Sequence, residues 1–385
     1  MNKKIFIVAG EASGDLHAAD LARALLSLDP EVTLLGMGGE QMRRAGVKLL
    51  VDARELAAVG FTEVLSRLAA LTRAFRRLRT ALDAEDPALL LLIDFPDFNF
   101  WLARASRRMG IPVLYYSSPQ VWAWRKGRIR TLKRLVEKML VIFPFEESLY
   151  REAGVPVTFI GHPMLDRLRD IPSREEARRR MGYDLSDRII GLLPGSREGE
   201  VRHHLPVLKE ATAQIVQAEP AVRFLLAVAD SLPPRLVETL LQGNGSSIRP
   251  VRGRTYEIMR AADLLITASG TATLEAGLLG TPMVIIYRVS RLTWWAGRLL
   301  VDVPAIGMVN LVAGRRVVPE LLQWDVTPER VARITLELLQ SPEALESIRQ
   351  ELEQIRGRLG EEGTSLRAAR EVLKTLCEGR AGSRR

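Results

Sequence analysis

The sequence predicts an α/β protein built from two Rossmann-like, doubly wound domains in tandem. The chain has 385 residues, which is more than one hydrophobic core usually supports. Short apolar runs alternate with amphipathic stretches, and several of these runs lack polar alternation, as parallel strands buried on both faces do. The alternation lapses once, after Pro163, and then restarts. We therefore expect one doubly wound domain on each side of that break.

The individual elements follow from the same pattern. In the first half, strands are predicted at residues 5–9, 32–36, 88–93, 112–116, 139–143 and 157–160, with helices at 16–28, 98–109 and 129–135. In the second half, strands are predicted at 189–193, 223–228, 264–267 and 283–287, with helices at 201–217, 234–242, 271–279 and 328–339. We place the domains at residues 1–165 and 166–345. A charged helical tail, 346–385, is expected to pack back on the N-terminal domain.

Composition narrows the class of partner and the compartment. Lys and Arg outnumber Asp and Glu by 55 to 46, which suggests nucleic acid, anionic lipid or a phosphorylated substrate. The single Cys377 cannot form an internal disulfide, so we expect a reducing, cytoplasmic compartment. No run approaches the roughly 20 apolar residues of a membrane span. The four histidines show no ligand spacing, and we predict neither a metal nor a cofactor.

The first predicted strand ends in Gly-Glu-Ala-Ser-Gly-Asp, residues 10–15, which leads into a helix. The helix start offers free N–H groups to an anion, but the spacing is not the dinucleotide fingerprint. Ser13 or Asp15 as the N-cap is the structural alternative. A capped turn does not require a carboxylate at Glu11, which slightly favours a role for Glu11 in a site.

A second carboxylate, Asp94, follows the apolar run at 88–93. Asp97 is placed to cap the helix predicted from Phe98, and this leaves Asp94 without a capping role. A carboxylate at the mouth of a buried strand is partly desolvated, which suits a general base. We favour a catalytic role for Asp94 over a structural one.

Further along, Trp122 and Arg125 lie in a Trp-Ala-Trp-Arg segment suited to binding sugars, phosphates or bases. Packing of the tryptophans in the core is the alternative.

Three features of the second half suit a nucleotide diphosphate. Arg197 lies in a strand-turn-helix segment, where a guanidinium would neutralise a departing diphosphate. Small hydroxyl residues precede another helix, and Glu275 could bind ribose or complement the helix dipole. A polar stretch between apolar segments is a candidate closing loop. The helix start comprises Ser269, Gly270 and Thr271. The polar stretch contains Asn310, Arg315 and Glu320.

Two basic, apolar stretches are candidates for contact with anionic lipid. Residues 65–82 place Leu71, Phe75 and Leu78 on one side of a helix, with arginines elsewhere. Trp294 and Trp295 are adjacent and flanked by arginines. Helices packed on the core with solvated arginines are the alternative for each.

Several of these motifs together resemble the lipid-A-disaccharide synthases of Gram-negative bacteria. The motifs occur in the family's order and cover about residues 5 to 325, with one departure, Val309, where the family usually has Pro. They are residues 10–15, Ile93-Asp94 with 96–99, 121–125, 193–197, 269–272 with Glu275, and Asn310 with 313–315.

The resemblance implies a GT-B glycosyltransferase with two facing Rossmann-like domains. It implies the joining of UDP-2,3-diacylglucosamine to 2,3-diacylglucosamine 1-phosphate, with release of UDP and no metal. On this interpretation Asp94 is the base, and Glu11 is the second candidate for that role. The diphosphate is held by Arg197, the helix at Thr271 and Arg315. The ribose is held by Glu275. Asn310 and Glu320 border the donor site. Substrate binding is also assigned to Ser13, Asp15, Trp122 and Arg125.

The implied partners are a UDP-sugar lipid donor, a phosphorylated glycolipid acceptor and the anionic, cytosolic face of the inner membrane. A homodimer is compatible with the sequence. Two alternatives stay open: another UDP-N-acetylglucosamine enzyme, such as a 2-epimerase or the muramyl-pathway transferase, and a basic nucleic-acid-binding module. The last lacks a helix-turn-helix, zinc or RNA-recognition signature, so we expect no nucleic-acid partner.

Overall fold

The computed structural model describes residues 3–57, 64–119, 127–242, 247–290, 294 and 305–382, with the backbone alone at 56, 57, 64–67 and 379–382. The chain folds into two compact units. The first comprises Met1–Asp166 and Leu359–Arg385, and the second comprises Arg167–Arg358. Each unit contains one sheet in which all the paired strands are parallel.

The first sheet has seven strands in the order β3-β2-β1-β4-β5-β6-β7. The central strands are continuous apolar runs, and every residue of β4 is buried because helices cover both faces. The strands are β1 (Lys4–Ala9), β2 (Thr33–Gly38), β3 (Lys48–Asp52), β4 (Leu89–Ile93), β5 (Val113–Tyr116), β6 (Lys138–Val141) and β7 (Val157–Phe159). The strand order reverses between β1 and β4, which is where ligands bind in doubly wound folds.

The helices of the first unit connect these strands. They are α1 (Ala12–Leu28), α2 (Glu40–Arg44), α3 (Arg54–Ala57), α4 (Val64–Glu85), α5 (Pro96–Arg108), α6 (Arg128–Leu135) and α7 (Pro144–Glu152). The helix α8 (Met164–Leu168) contains the boundary between the units.

The C-terminal helix α17 (Thr364–Gly382) belongs to the first unit and packs against α1. Asp166 accepts hydrogen bonds from the main-chain N–H groups of Gly363 at 2.5 Å and Ser365 at 3.1 Å, which satisfies donors at the start of the helix. Lys138 on β6 forms an ion pair with Glu371 at 2.6 Å. The chain end is thus fixed to the unit in which the chain begins.

The second sheet has six strands in the order β10-β9-β8-β11-β12-β13, with the reversal between β8 and β11. The first six strands of the other sheet follow the same pattern of order. The strands are β8 (Arg188–Leu193), β9 (Val222–Val228), β10 (Ile248–Arg252), β11 (Leu264–Ala268), β12 (Met283–Tyr287) and β13 (Glu320–Leu322).

The helices of the second unit cover both faces of this sheet. They are α9 (Arg174–Met181), α10 (Glu198–Ala218), α11 (Pro234–Leu241), α12 (Thr255–Ala261), α13 (Thr271–Leu278), α14 (Met308–Ala313), α15 (Pro328–Leu339) and α16 (Pro342–Arg358). The α9 helix is anchored by Arg178, which is 1% exposed and donates to Asp263 and to the carbonyl of Ala261. A buried guanidinium of this kind is tolerated because its donors are satisfied.

All the strands predicted from the sequence are present. The strands β3, β10 and β13 were not predicted, and each lies at an edge of its sheet.

Candidate active site

The backbone at the carboxyl ends of β4 and β5 is strained. Asp94 and Phe95, directly after β4, both have φ of 46°, and Ser117, directly after β5, has φ of 61°. The left-handed region costs a non-glycine residue roughly 1–3 kcal/mol and persists only where the surroundings enforce it. Three such residues meet beside the reversal point of the first sheet, and clusters of this kind are typical of functional sites.

The surroundings of Asp94 explain how this conformation is held. Its main-chain oxygen accepts hydrogen bonds from the hydroxyl of Tyr115 and from Asn99 Nδ2, both at 2.7 Å. The ring of Phe95 lies against Gly10, where a Cβ atom would come within 2.3 Å of the ring. Gly10 is therefore required by this contact.

The carboxyl group of Asp94 is half-buried. Burial raises its pKa to about 6, a hydrogen bond from Ser117 opposes this rise, and the negative charge of Glu11 adds to it. Ser117 Oγ donates to Asp94 Oδ1 at 2.9 Å. A carboxylate with a pKa of about 6 is still ionised at pH 7, yet it is a much stronger base than an exposed aspartate.

The start of α1 differs from the capped turn weighed as the structural alternative. The helix begins at Ala12 with Glu11 at the N-cap position, so neither Ser13 nor Asp15 is the N-cap. The side chain of Glu11 makes no capping hydrogen bond, and both Glu11 and Ser13 are exposed. The carboxylate of Glu11 therefore lies near the carboxyl end of β1 and is not needed to start the helix.

Asp15 is buried and joins α1 to the loop after β2. Its Oδ1 accepts from the N–H groups of Gly39 at 2.7 Å and Met42 at 3.1 Å, and its Oδ2 accepts from Gln41 at 3.0 Å. These three bonds account for both oxygens of the carboxylate.

The prediction that Asp97 caps α5 is wrong. The helix begins at Pro96, two residues before the predicted start at Phe98, with Phe95 in the N-cap position. A proline fits the first helical position because its fixed φ is already helical. Asp97 instead forms an ion pair with Arg128, at the start of α6.

In the second unit, Arg197 lies at the reversal point of the sheet, at the start of α10. The turn before it is closed by Glu200, which accepts from the N–H of Ser196 at 3.1 Å and pairs with Arg197 Nη1 at 3.3 Å. Gly195 has φ of 122°, and a Cβ atom there would lie 2.4 Å from the Glu200 carboxylate. The guanidinium of Arg197 is exposed and is presented by a tightly built turn.

The segment from Ser269 to Thr271 joins β11 to α13 on the other side of that reversal point. Ser269 donates its N–H to the carbonyl of Ile286 at 2.9 Å and its hydroxyl to the carbonyl of Ile306 at 3.0 Å. Gly270 has φ of 154°, and a Cβ atom there would meet nothing within 4 Å. Thr271 is exposed at the first turn of α13, where main-chain N–H groups are available to an anion.

Glu275 lies one turn further along α13. Burial raises the pKa of its carboxyl group, while a hydrogen bond from Tyr256 and the charge of Arg167 act in the opposite direction. The hydroxyl of Tyr256 donates to Glu275 Oε1 at 3.0 Å. Glu275 is therefore a fixed, half-buried acceptor.

Asn310 and Glu320 join the residues directly before α14 to those around the start of β13. Asn310 is fully buried and donates to Glu320 Oε1 at 2.8 Å and to the carbonyl of Val318 at 2.9 Å. Glu320 accepts from the N–H groups of Ile306 at 3.1 Å and Gly307 at 3.0 Å. This network fixes Ile306 and Gly307, and the carbonyl of Ile306 accepts from the Ser269 hydroxyl.

The remaining predicted residues fall into two groups. Arg315 is exposed and forms an ion pair with Glu351 on α16. Trp122, Arg125 and Trp295 lie outside the described residues.

The residues predicted to contact lipid differ in exposure. Leu78 is fully buried in the first unit, while Leu71 and Phe75 are half-buried and pack against the same core. Trp294 is half-buried, and its N–H donates to the carbonyl of Ser290 at 2.9 Å.

The family model for lipid-A-disaccharide synthetase matches residues 5–374. The chain belongs to the lipid-A-disaccharide synthetase family. Relatives include the lipid-A-disaccharide synthase of Geobacter sulfurreducens, 48% identical over 97% of each chain, and that of Geobacter metallireducens, 45% identical over 97% of this chain and 98% of the other.

Solved structures outside this family share the fold. The glycosyltransferase of kitacinnamycin aligns over 96% of this chain and 98% of its own with a TM-score of 0.65 and 16% identity. Acinetobacter baumannii MurG aligns over 96% and 99% with a TM-score of 0.60 and 13% identity. The predicted family, the α/β fold of the GT-B type with a C-terminal helical segment, and the glycosyltransferase class are therefore confirmed.

No described helix is long and apolar enough to cross a bilayer. In the same part of the chain, no group of three His, Cys, Asp or Glu side chains is placed to hold a metal ion.

Sequence reasoning missed three polar residues of the sites. Ser117, which contacts the carboxyl of Asp94, is 23 positions away along the chain. The sequence indicated only that His204 lacks metal-ligand spacing and that Gln323 ends the polar stretch 310–323 of the candidate closing loop; both contact the segment after β12. The sequence signal available for Ser117 was its position directly after a buried strand, next to the strand that ends at Asp94.

Proposed function

We propose that the chain joins UDP-2,3-diacylglucosamine to 2,3-diacylglucosamine 1-phosphate, giving a β-1,6-linked disaccharide 1-phosphate and UDP. Membership of the family supports the reaction class. The observation that carries the proposal is Asp94, a strained, half-buried carboxylate at the reversal point of the first sheet with a pKa raised to about 6.

Asp94 is the general base of this reaction. An α-linked donor that gives a β-linked product undergoes direct displacement, so the proton of the acceptor's 6-hydroxyl has to leave as the hydroxyl attacks. A carboxylate with a pKa near the operating pH is largely deprotonated and is still basic enough to accept the proton. Glu11 supports Asp94 in this role because its negative charge helps to raise the Asp94 pKa.

The second unit binds the UDP portion of the donor. Arg197 and the N–H groups at the start of α13 place positive charge where the diphosphate leaves, which lowers the energy of the transition state. Glu275, held by Tyr256, accepts hydrogen bonds from the ribose hydroxyls. Asn310 and Glu320 hold the loop next to Ser269 in its binding conformation.

The role of Asp94 is tested by Asp94→Asn, which retains an oxygen for the Ser117 hydroxyl but cannot take a proton. We expect kcat to fall by about 10²–10⁴-fold, which is the usual contribution of general base catalysis. Turnover is measured with both acylated sugars, alongside the melting temperature.

Asp97→Asn is the matched control, because this exposed carboxylate lies three residues further on and contacts Arg128 instead. Its turnover should stay near that of the wild type. Near-normal turnover of a folded Asp94→Asn variant would remove Asp94 from the role of base.

We also propose that the enzyme binds an anionic membrane at its cytosolic face, where a UDP-sugar and acylated substrates are both present. On α4 and α5, Leu68 is 50% exposed and Trp101 is 46% exposed. Trp101 packs edge-on against Phe75, with ring centroids 6.4 Å apart. Exposed arginines at positions 73, 76 and 79 on α4 add positive charge. Leu78 supports this surface from within the core.

Sedimentation with vesicles of anionic phospholipid tests this surface. Trp101→Ser should weaken binding, and high salt should weaken binding of the wild type. Trp324→Ser, at a tryptophan that is 60% exposed in the second unit, is the control. Binding that neither Trp101→Ser nor salt affects would contradict the proposal.

A further inference from the structure

Two buried side chains fix the segment directly after β12. The N–H of Arg288 donates to His204 Nε2 at 3.0 Å. The next residue, Val289, donates its N–H to Gln323 Oε1 at 3.1 Å and accepts from Gln323 Nε2 at 2.7 Å. His204 is 1% exposed and Gln323 is 5% exposed. Three hydrogen bonds from outside the strand therefore hold two consecutive residues.

The backbone of Gln323 is strained, and the imidazole of His204 is held neutral. Gln323 has φ of 51°, in the left-handed region that a non-glycine residue rarely adopts. Burial lowers the pKa of His204 and keeps its imidazole neutral. Its Nε2 can then accept from Arg288 while Nδ1 donates to the carbonyl of Pro194 at 2.7 Å. A strand end does not by itself require these side-chain hydrogen bonds to Arg288 and Val289.

The same contacts join the strand ends that carry the proposed diphosphate site. Pro194, bound by His204, directly follows β8 and begins the turn that presents Arg197. The strand β11 lies between β8 and β12, and Ser269 at its end donates to the carbonyl of Ile286 on β12. Arg288 therefore follows a strand end adjacent to the helix start at Thr271, and His204 links it to the Arg197 turn.

The guanidinium of Arg288 is available to a ligand. It is exposed and lines a pocket of about 340 Å³ that is also lined by His203 and Trp324. Within the part of the chain that the structure describes, no carboxylate forms an ion pair with Arg288, whereas Arg197 is paired with Glu200. A rigid backbone that presents an unpaired guanidinium is suited to bidentate binding of phosphate oxygens.

We propose that Arg288 is a second arginine that binds the diphosphate of the nucleotide, and that His204 and Gln323 position it. The inference rests on the proposed function, because it assigns a further residue to the same donor site. The guanidinium donates to oxygens that gain negative charge as the bond from the sugar to the diphosphate breaks and UDP takes the electron pair. Its contribution is therefore larger to UDP than to ligands without the second phosphate.

The test is calorimetric titration of the full chain with UDP, UMP and uridine. Arg288→Gln should weaken UDP binding by about 10- to 100-fold, the size expected for charge-assisted hydrogen bonds, and leave uridine binding unchanged. Arg235→Gln, at an exposed arginine on α11, is the control and should bind UDP like the wild type.

Arg197→Gln separates the inference from the proposed function. If Arg197→Gln weakens UDP binding and Arg288→Gln does not, the assignment of Arg288 is overturned and the donor site stands. If the wild type binds no UDP, the proposed function and the assignment are both overturned.

The positioning role has its own readout. Gln323→Met removes both bonds to Val289 and should weaken UDP binding in the wild-type background, but have no further effect when Arg288 is already Gln. Gln323→Glu keeps an acceptor for the Val289 N–H, so its affinity for UDP should lie between those of the wild type and Gln323→Met. This second variant guards against simple misfolding of Gln323→Met. Equal losses in both backgrounds would overturn the positioning role.

Discussion

The burial of Asp94 lowers the stability of the fold at neutral pH. Its pKa in the folded chain, about 6, lies above the value of about 3.8 expected without burial. A raised pKa contributes stability that is fully present below pH 4 and is lost as the pH rises through 6. Above pH 6 the fold therefore carries a desolvated charge and three left-handed residues at one place. The proposed role in catalysis would account for both.

Ser117 sets how far the pKa of Asp94 rises. We expect Ser117→Ala to raise this pKa further, because the hydroxyl stabilises the charged carboxylate. The acid limb of the kcat/KM profile should then move upward by about 1 pH unit, the effect of one hydrogen bond to a charged group. The measurement is a pH–rate profile between pH 4.5 and 8.

Ser117→Gly separates the hydroxyl from the backbone. Glycine suits a φ of 61° and removes the same hydroxyl without strain, so its acid limb should move as far as that of Ser117→Ala. An acid limb that stays in place in both variants would show that the hydroxyl does not act on the ionising group.

The sequence led to Asp94 but not to its neighbours, for a physical reason. A carboxylate after a run of five buried apolar residues stands out because nothing in a strand end requires it. Ser117, His204 and Gln323 act through contacts across 23, 84 and 34 positions of the chain. Such contacts depend on which strands become neighbours, and local pattern does not contain that information.

The three strands that were not predicted all lie at sheet edges, whereas β7, the remaining edge strand, was predicted. Central strands are apolar throughout because they are covered on both faces. The three strands that were not predicted, β3, β10 and β13, have one neighbour each and carry exposed or half-buried residues such as Lys48, Arg249 and Glu320. Their apolar signal is weak because an edge strand has less surface to bury.

The segment between α14 and β13 is held together by one buried amide, that of Asn310. Asn310→Leu would remove four hydrogen bonds and leave the N–H groups of Val317 and Val318 and the carboxylate of Glu320 with fewer partners. We expect a loss of about 2–4 kcal/mol in the free energy of unfolding, since buried groups would be left unsatisfied. Urea denaturation measures this loss.

Gln217→Ala, at an exposed amide on α10, is the control and should change stability by less than about 0.5 kcal/mol. A stability of Asn310→Leu equal to that of the control would contradict the structural account of this segment.

At the scale of the whole molecule, the chain uses one architecture twice. Each sheet reverses its strand order once, between β1 and β4 in the first unit and between β8 and β11 in the second. Candidate residues gather at both reversal points: Glu11 and Asp94 at one, Arg197 and Ser269 at the other. Doubly wound folds bind ligands at such points because the adjacent loops diverge there. Two units of one fold are thereby proposed to perform different tasks, proton abstraction and diphosphate binding.

The central claim is that this chain makes a lipid A disaccharide. The most direct measurement is incubation of the full chain with both acylated sugars, followed by mass spectrometry of the products and quantification of UDP, with unacylated UDP-N-acetylglucosamine as the comparison. We predict a disaccharide 1-phosphate and UDP in equal amounts, with little turnover of the unacylated sugar. No disaccharide, or efficient conversion of unacylated UDP-N-acetylglucosamine, would contradict the claim.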